Sequence, residues 1–189
     1  MATLSRWAAA LRSWPARLLL MLLASVSVAA NAPTEYQVKA VFLFNFTQFV
    51  EWPADAFPDE QAPFVIGVLG RDPFGDALDE AVRGETVNGR PLVVQRYRNI
   101  GELKPCQILF IDRSARADAE RVLASLANQR TLTVSDLDLE GDPSVIIRFL
   151  TQDRKIRLRI NVGAARAAGL TISSKLLRPA QVVGTQGAG

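Results

Sequence analysis

The chain has no histidine, and its 189 residues include a single cysteine, Cys106. The missing histidine removes the commonest general base and the commonest transition-metal ligand together. Ser-His-Asp and Cys-His catalysis and His-built zinc sites are therefore excluded. One cysteine cannot close an internal disulfide. Cys106 stands just before the apolar run Gln107–Ile111 and reads as a small apolar residue at a strand edge, the sharper alternative being an intermolecular or redox-sensing thiol. A membrane-spanning run of about 20 apolar residues is also missing. So is an excess of charge. The 22 basic and 19 acidic residues become 22 − 3 = 19 against 19 once residues 1–30, with three Arg and no acid, are set aside. No basic stripe remains to neutralise phosphates, which argues against nucleic acid as a partner.

What is present begins with an address label. Arg6, Arg12 and Arg17 precede an eleven-residue apolar run, Leu18–Val28, and the small residues Ala29 and Ala30 follow. Positive flank, short apolar core and small-residue cleavage site are the order of a Sec signal peptide. Residues 1–30 are thus expected to be a signal peptide cleaved near Ala30, residues 31–183 a single domain, and residues 184–189 a disordered tail. A mature chain of 189 − 30 = 159 residues is of single-domain length.

The first mature segment, Thr34 to Trp52, reads as a helix capped by Thr34 and stopped by Pro53. Its apolar positions, including Val41, Leu43, Phe44, Phe46 and Phe49, cover more than one face, so it is either nearly enclosed or covered by a partner. Strand and helix signals then alternate. Strands are expected at Phe64–Leu69, Leu92–Tyr97, Gln107–Ile111 and Thr131–Val134, with helices over Phe74 to Arg83 and, capped by Ser114, through Ala127. Asp72-Pro73 is expected to cap the first of these helices. Val145–Leu150 and Ile156–Ile160 are too closely linked for a crossover and form a hairpin. A short Ala-rich helix and a last helix capped by Ser173-Ser174 follow. This rhythm predicts an α/β three-layer sandwich: a mainly parallel four-stranded sheet, extended by the C-terminal hairpin, with helices on both faces; it leaves the strand order open, and 2-1-3-4 is adopted as a guess.

Three places suggest chemistry and none is compelling. The loop after Gly70 lies beyond a strand's carboxyl end, where open α/β sheets bind ligands, but lacks GxGxxG and the Walker lysine. Asp136, Asp138, Glu140 and Asp142 are acidic without calcium-loop spacing. Ser173-Ser174-Lys175 has the components of a Ser-Lys dyad, but a helix cap explains the serines. No catalytic constellation, metal or cofactor is expected.

Taken in order, Lys39 to Phe46 (KAVFLFNF, with Lys39, Asn45 and Phe46), Trp52-Pro53, Ile66 to Gly70, Cys106 to Ile111, Leu132 to Asp136, Ile160-Asn161 and Ser173 to Leu177 (with Ser174, Lys175 and Leu176) resemble the YfiR/HmsC-like family. The resemblance implies a small, non-catalytic periplasmic regulator. It would bind the periplasmic sensor domain of an inner-membrane diguanylate cyclase and lower cyclic di-GMP and biofilm formation. An OmpA-like outer-membrane lipoprotein would sequester it. Two departures stand out: only Cys106 where some members carry several cysteines, and Pro143-Ser144 where paired glycines are usual. The rival reading is a periplasmic small-molecule sensor using the loops after Gly70 and Ser135, and a third is a hydrolase using Ser173 or Ser174 with Lys175. Phe44, Phe49 and Trp52 are the expected interface residues, toward the cyclase or a second copy in a homodimer, the alternative being that they are ordinary core.

Overall fold

The structure is a computed structural model that describes residues 32–126, 129–137, 145–153 and 155–184. The expected signal peptide, the tail beyond Gly184, the acids Asp138, Glu140 and Asp142, and Pro143-Ser144 lie outside the described residues.

In chain order the elements are α1 (Glu35–Phe49), β1 (Val50–Glu51), β2 (Phe64–Leu69), α2 (Asp76–Val82), β3 (Thr86–Val87), β4 (Arg90–Tyr97) and β5 (Ile108–Ile111). Then come α3 (Ala119–Leu126), β6 (Leu132–Ser135), β7 (Ile147–Gln152), β8 (Lys155–Asn161), α4 (Val162–Ala167), β9 (Thr171–Ile172), α5 (Ser174–Leu177) and β10 (Gln181–Val183). The main sheet has eight strands in the order β10-β8-β7-β6-β5-β2-β4-β3. Neighbours from β4 through β2, β5 and β6 to β7 are parallel. The expected 2-1-3-4 order is the observed β4-β2-β5-β6. The parallel run is longer than four strands, because β7 pairs parallel to β6 (Val134 with Ile147) before turning back antiparallel into β8. The sheet is thus mixed and mostly parallel, with antiparallel pairs at β7–β8 and β3–β4.

The fully buried strand β2 shows how the sheet is covered. Phe64, Ile66 and Val68 join a core with Leu43 and Phe46 of α1 and Leu78 of α2. Val65 and Leu69 point the other way, into a core with Val122, Leu123 and Leu126 of α3. Strand alternation places these sets on opposite faces. Continuous apolar sequence such as FVIGVL is what a parallel strand buried on both faces requires. Gly67 interrupts it because a side chain there would meet Leu109 Cδ1 and Tyr97 Cε2 at 3.0 Å and Cys106 Sγ at 3.1 Å. Gly67→Ala is expected to cost about 1–3 kcal/mol by overpacking, read as a lower urea midpoint at unchanged m-value.

Several element ends differ from expectation, each for a local reason. Helix α1 stops at Phe49 rather than Trp52, because β-branched Val50 turns extended and pairs with Ile172 of β9. The Asp72 carboxylate accepts from the Phe74 amide at 2.8 Å and closes a turn; α2 begins later, at Asp76, behind Gly75 with φ 54°. Asp112, not Ser114, caps the turn of 3-10 helix Arg113–Asp118 that leads into α3. Ser114 Oγ instead accepts from the Arg71 amide at 2.7 Å. The two-residue strands β1, β3 and β9 and the three-residue β10 are too short to leave a periodic signal.

Candidate functional site

Helix α1 crosses one face of the sheet, running against the parallel strands. Its amino-terminal half reaches Asp136, just past the carboxyl end of β6. Past its carboxyl-terminal end, Trp52 packs on Phe64 at the start of β2, ring centroids 4.8 Å apart, and donates through Nε1 to the Gln107 carbonyl at 3.1 Å. Lys39 sits on the buried side of α1, its side chain 0% exposed. A buried ammonium without a partner would be very costly. Lys39 Nζ donates to Asp136 Oδ2 at 2.7 Å and pairs with Glu35 Oε1 at 2.6 Å. It also lies 4.5 Å from the Tyr36 ring centroid and 5.7 Å from that of Phe149, a cation–π setting.

Asp136 is equally enclosed, its side chain 1% exposed. Oδ2 accepts a second hydrogen bond from Tyr36 Oη at 3.0 Å. Among the described residues Oδ1 has no hydrogen-bond partner, and it faces Arg113 Nε at 3.5 Å. Burial, and then the neighbouring Asp136 charge, push the Tyr36 phenol up to about 12, so Tyr36 stays a donor at neutral pH. The hydrogen bond from Lys39 holds the Glu35 carboxyl below its ordinary value against the opposing effect of burial. Glu35 in turn accepts from Thr151 Oγ1 of β7 at 3.2 Å. The cluster ties the start of α1 to the ends of β6 and β7.

This cluster occupies the edge where an open α/β sheet usually holds a ligand. The other loops at that edge are also engaged in contacts within the chain. Gly70 donates its amide to the Tyr97 carbonyl, and Asp112 accepts from the Ser114 amide. Asp72 pairs with Arg96, which also holds Asp79. A small-molecule site after Gly70 and Ser135 would compete with these contacts. Among the described residues no three acidic or cysteine side chains come together as a metal site.

Beyond Lys39, several family-motif residues have packing or capping roles. Phe46 is 0% exposed, and Leu176 is buried. The Asn161 side chain caps α4 by accepting from the Ala164 amide at 3.0 Å. Pro53 caps the short 3-10 turn Ala54–Ala56, and Asn45 is half-buried. Ser173 Oγ accepts from the Lys175 amide at 3.3 Å, and both Ser174 and Lys175 are exposed. A dyad needs a desolvated lysine; Ser173 is a cap and Lys175 projects into water. Phe44, Phe49 and Trp52 are half-buried and pack on the larger core, while Val41 is 51% exposed. Sequence reasoning had Lys39 as a motif residue and Asp136 as a loop acid, without joining them. The available signal was a lysine on the inward side of a very apolar helix, which demands an acid.

Cys106 is buried, and burial pushes its thiol up to about 12. The thiolate is the reactive form. In the native protein, Ellman's reagent at pH 8 is expected to modify less than about a tenth of Cys106 in an hour, against full modification in denaturant. Rapid native labelling would restore the redox-sensing alternative.

The YfiR/HmsC-like family model matches residues 36–181. That is most of the described chain, and the protein belongs to the YfiR/HmsC-like family. The family is regulatory rather than catalytic and is known for periplasmic control of cyclic di-GMP cyclases. No curated protein matches the chain. Among solved structures the fold is similar to an ABC domain from Streptococcus pneumonia in complex with L-Trp, with TM-score 0.51 and 11% identity over 78% of this chain. The match spans 60% of that structure's chain, and at this identity the likeness concerns the fold alone. No helix among the described residues is long and apolar enough to cross a membrane.

Proposed function

We propose that the protein is a periplasmic brake on an inner-membrane diguanylate cyclase. It binds the cyclase's periplasmic sensor domain and lowers cyclic di-GMP and biofilm formation. Membership of the YfiR/HmsC-like family over residues 36–181 carries this reading. The residue pattern at 1–30 supports export with cleavage near Ala30. The docking surface is the outer side of α1 around exposed Val41, with the outward parts of Phe44, Phe49 and Trp52. An OmpA-like outer-membrane lipoprotein competes for the protein and releases the brake, and a homodimer through the same helix is the alternative use of that surface.

The test is deletion of the gene combined with capture by the tagged, exported protein. Raised cyclic di-GMP, restored by the wild-type copy, together with recovery of a membrane cyclase, supports the proposal. Unchanged cyclic di-GMP on deletion overturns it.

A further inference from the structure

A cleft of about 420 Å³ opens at the opposite end of the sheet from Asp136, between the end of α1, the start of β2 and the β3–β4 turn. Six residues define its chemistry: Gln48, Glu51, Trp52, Phe57, Asn88 and Arg90. From this cleft we infer a binding site for a small polyhydroxylated monocarboxylate of the sugar-acid class.

Arg90 is the anchor. Its Nη1 donates to the carbonyls of Asp59 at 2.7 Å and Ala62 at 2.8 Å. Its guanidinium carbon lies 4.1 Å from the Phe57 ring centroid. These contacts fix the guanidinium before any ligand arrives. They leave Nε and Nη2 without a partner among the described residues. That adjacent pair is the edge that takes a carboxylate through two parallel hydrogen bonds. Pre-organisation removes much of the ordering cost that binding otherwise incurs.

The remaining walls choose the rest of the molecule. Glu51 and Asn88 are exposed and have no side-chain partner among the described residues. Gln48 uses its amide nitrogen on Thr47 Oγ1 at 3.2 Å, which leaves its carbonyl oxygen as an acceptor. These acceptors and donors match hydroxyl groups, which both give and receive hydrogen bonds. Trp52 and Phe57 supply an apolar floor for the C–H face of a ring. The Glu51 charge disfavours a multiply charged anion, so one carboxylate is preferred to a phosphate or a dicarboxylate. The volume lies within the range of small-molecule sites and suits a single six-membered ring.

Trp52 reports on the site directly, because its indole N–H is held by Gln107 inside the same structure. The experiment follows the Trp52 indole cross-peak of the 15N-labelled protein during titration with sodium glucuronate. Glucose and alanine serve as the neutral polyol and the unhydroxylated zwitterion. Glucuronate is expected to move the peak saturably below ~20 mM, and the two controls to leave it in place. Arg90→Gln is expected to weaken binding about tenfold or more. Arg90 also holds two loop carbonyls, so Gln48→Ala and Asn88→Gly provide variants that do not depend on that loop; each is expected to weaken binding several-fold. Asn88 has φ 51°, and glycine keeps that turn. No movement with glucuronate, equal movement with glucose or alanine, or binding unchanged in the folded variants would overturn the assignment. The site is read on the protein alone, so its failure is separate from failure of the cyclase proposal.

Discussion

Lys39→Met is expected to destabilise the protein by about 3–5 kcal/mol, because it strands the Asp136 carboxylate in a buried position without its main counter-charge. Both side chains are almost fully enclosed, at 0% and 1% exposure. For a domain of this size each kcal/mol moves the melting temperature by about 2–4 °C, so a fall on the order of 10 °C is expected. Replacing both partners behaves differently. Lys39→Met with Asp136→Leu removes the charge and the counter-charge together, and most of the lost stability returns. The acid dependence provides a second check. Glu35 is held below its ordinary value of 4.5 by Lys39. A group whose folded pKa is depressed contributes stability above its unfolded pKa and loses it as pH falls through the folded one. Wild-type stability should therefore decline below about pH 4.5 more steeply than that of Lys39→Met, which has no ammonium to hold Glu35. A single mutant as stable as wild type would show that the Lys39–Asp136 pair does not hold α1 to the sheet, and equal acid slopes in the two proteins would show that Lys39 does not hold the Glu35 carboxylate.

The middle of the sheet was legible because its strands are buried on both faces. Runs such as FVIGVL and ILFI have few alternatives, and the links between them are long enough for right-handed crossovers. Their order does not follow from that, because right-handed crossovers permit several arrangements; 2-1-3-4 was a guess that the observed β4-β2-β5-β6 matches. The Ser173 cap and the inward Val122, Leu123 and Leu126 were legible for the same reason, since capping and period-3.6 patterns are local. What escaped depends on distant partners. Val50 reads as helix until Ile172 arrives to pair with it. Asp72 reads as a helix cap until Arg96, 24 residues on, takes one of its oxygens. The Lys39–Asp136 pair spans 97 residues, and no local pattern records such a partner. The Lys39 position nevertheless announced the need for one. Arg90 gave no signal, because its fixed orientation comes from loop carbonyls rather than from side chains.

Val41→Glu is expected to abolish cyclase repression while leaving the fold intact. Helix α1 turns Lys39, Ala40, Leu43 and Phe46 inward, and those positions are buried. Val41 is left 51% exposed at mid-helix, with half-buried Phe44 one turn further on and exposed Gln37 one turn before. An exposed valine in a helix contributes little to stability, and glutamate has the higher helix propensity. The melting temperature should therefore stay within about 2 °C of wild type. A carboxylate placed at the centre of an apolar contact is a different matter, since docking would strip its water without offering a partner. Capture of the cyclase periplasmic domain should be lost, and cyclic di-GMP should rise to the level of the deletion strain. Phe46→Glu marks the contrast, because Phe46 is 0% exposed and a charge there should unfold the protein. Phe44→Glu should fall between the two, weakening both folding and repression, because its ring packs on the core while part of it remains outside. If Val41→Glu represses like wild type, the partner binds elsewhere and α1 is only the cover of the sheet. If it unfolds the protein, Val41 is a packing residue and this side of α1 is not a free surface. Only a folded protein that no longer represses identifies this side of α1 as the docking surface.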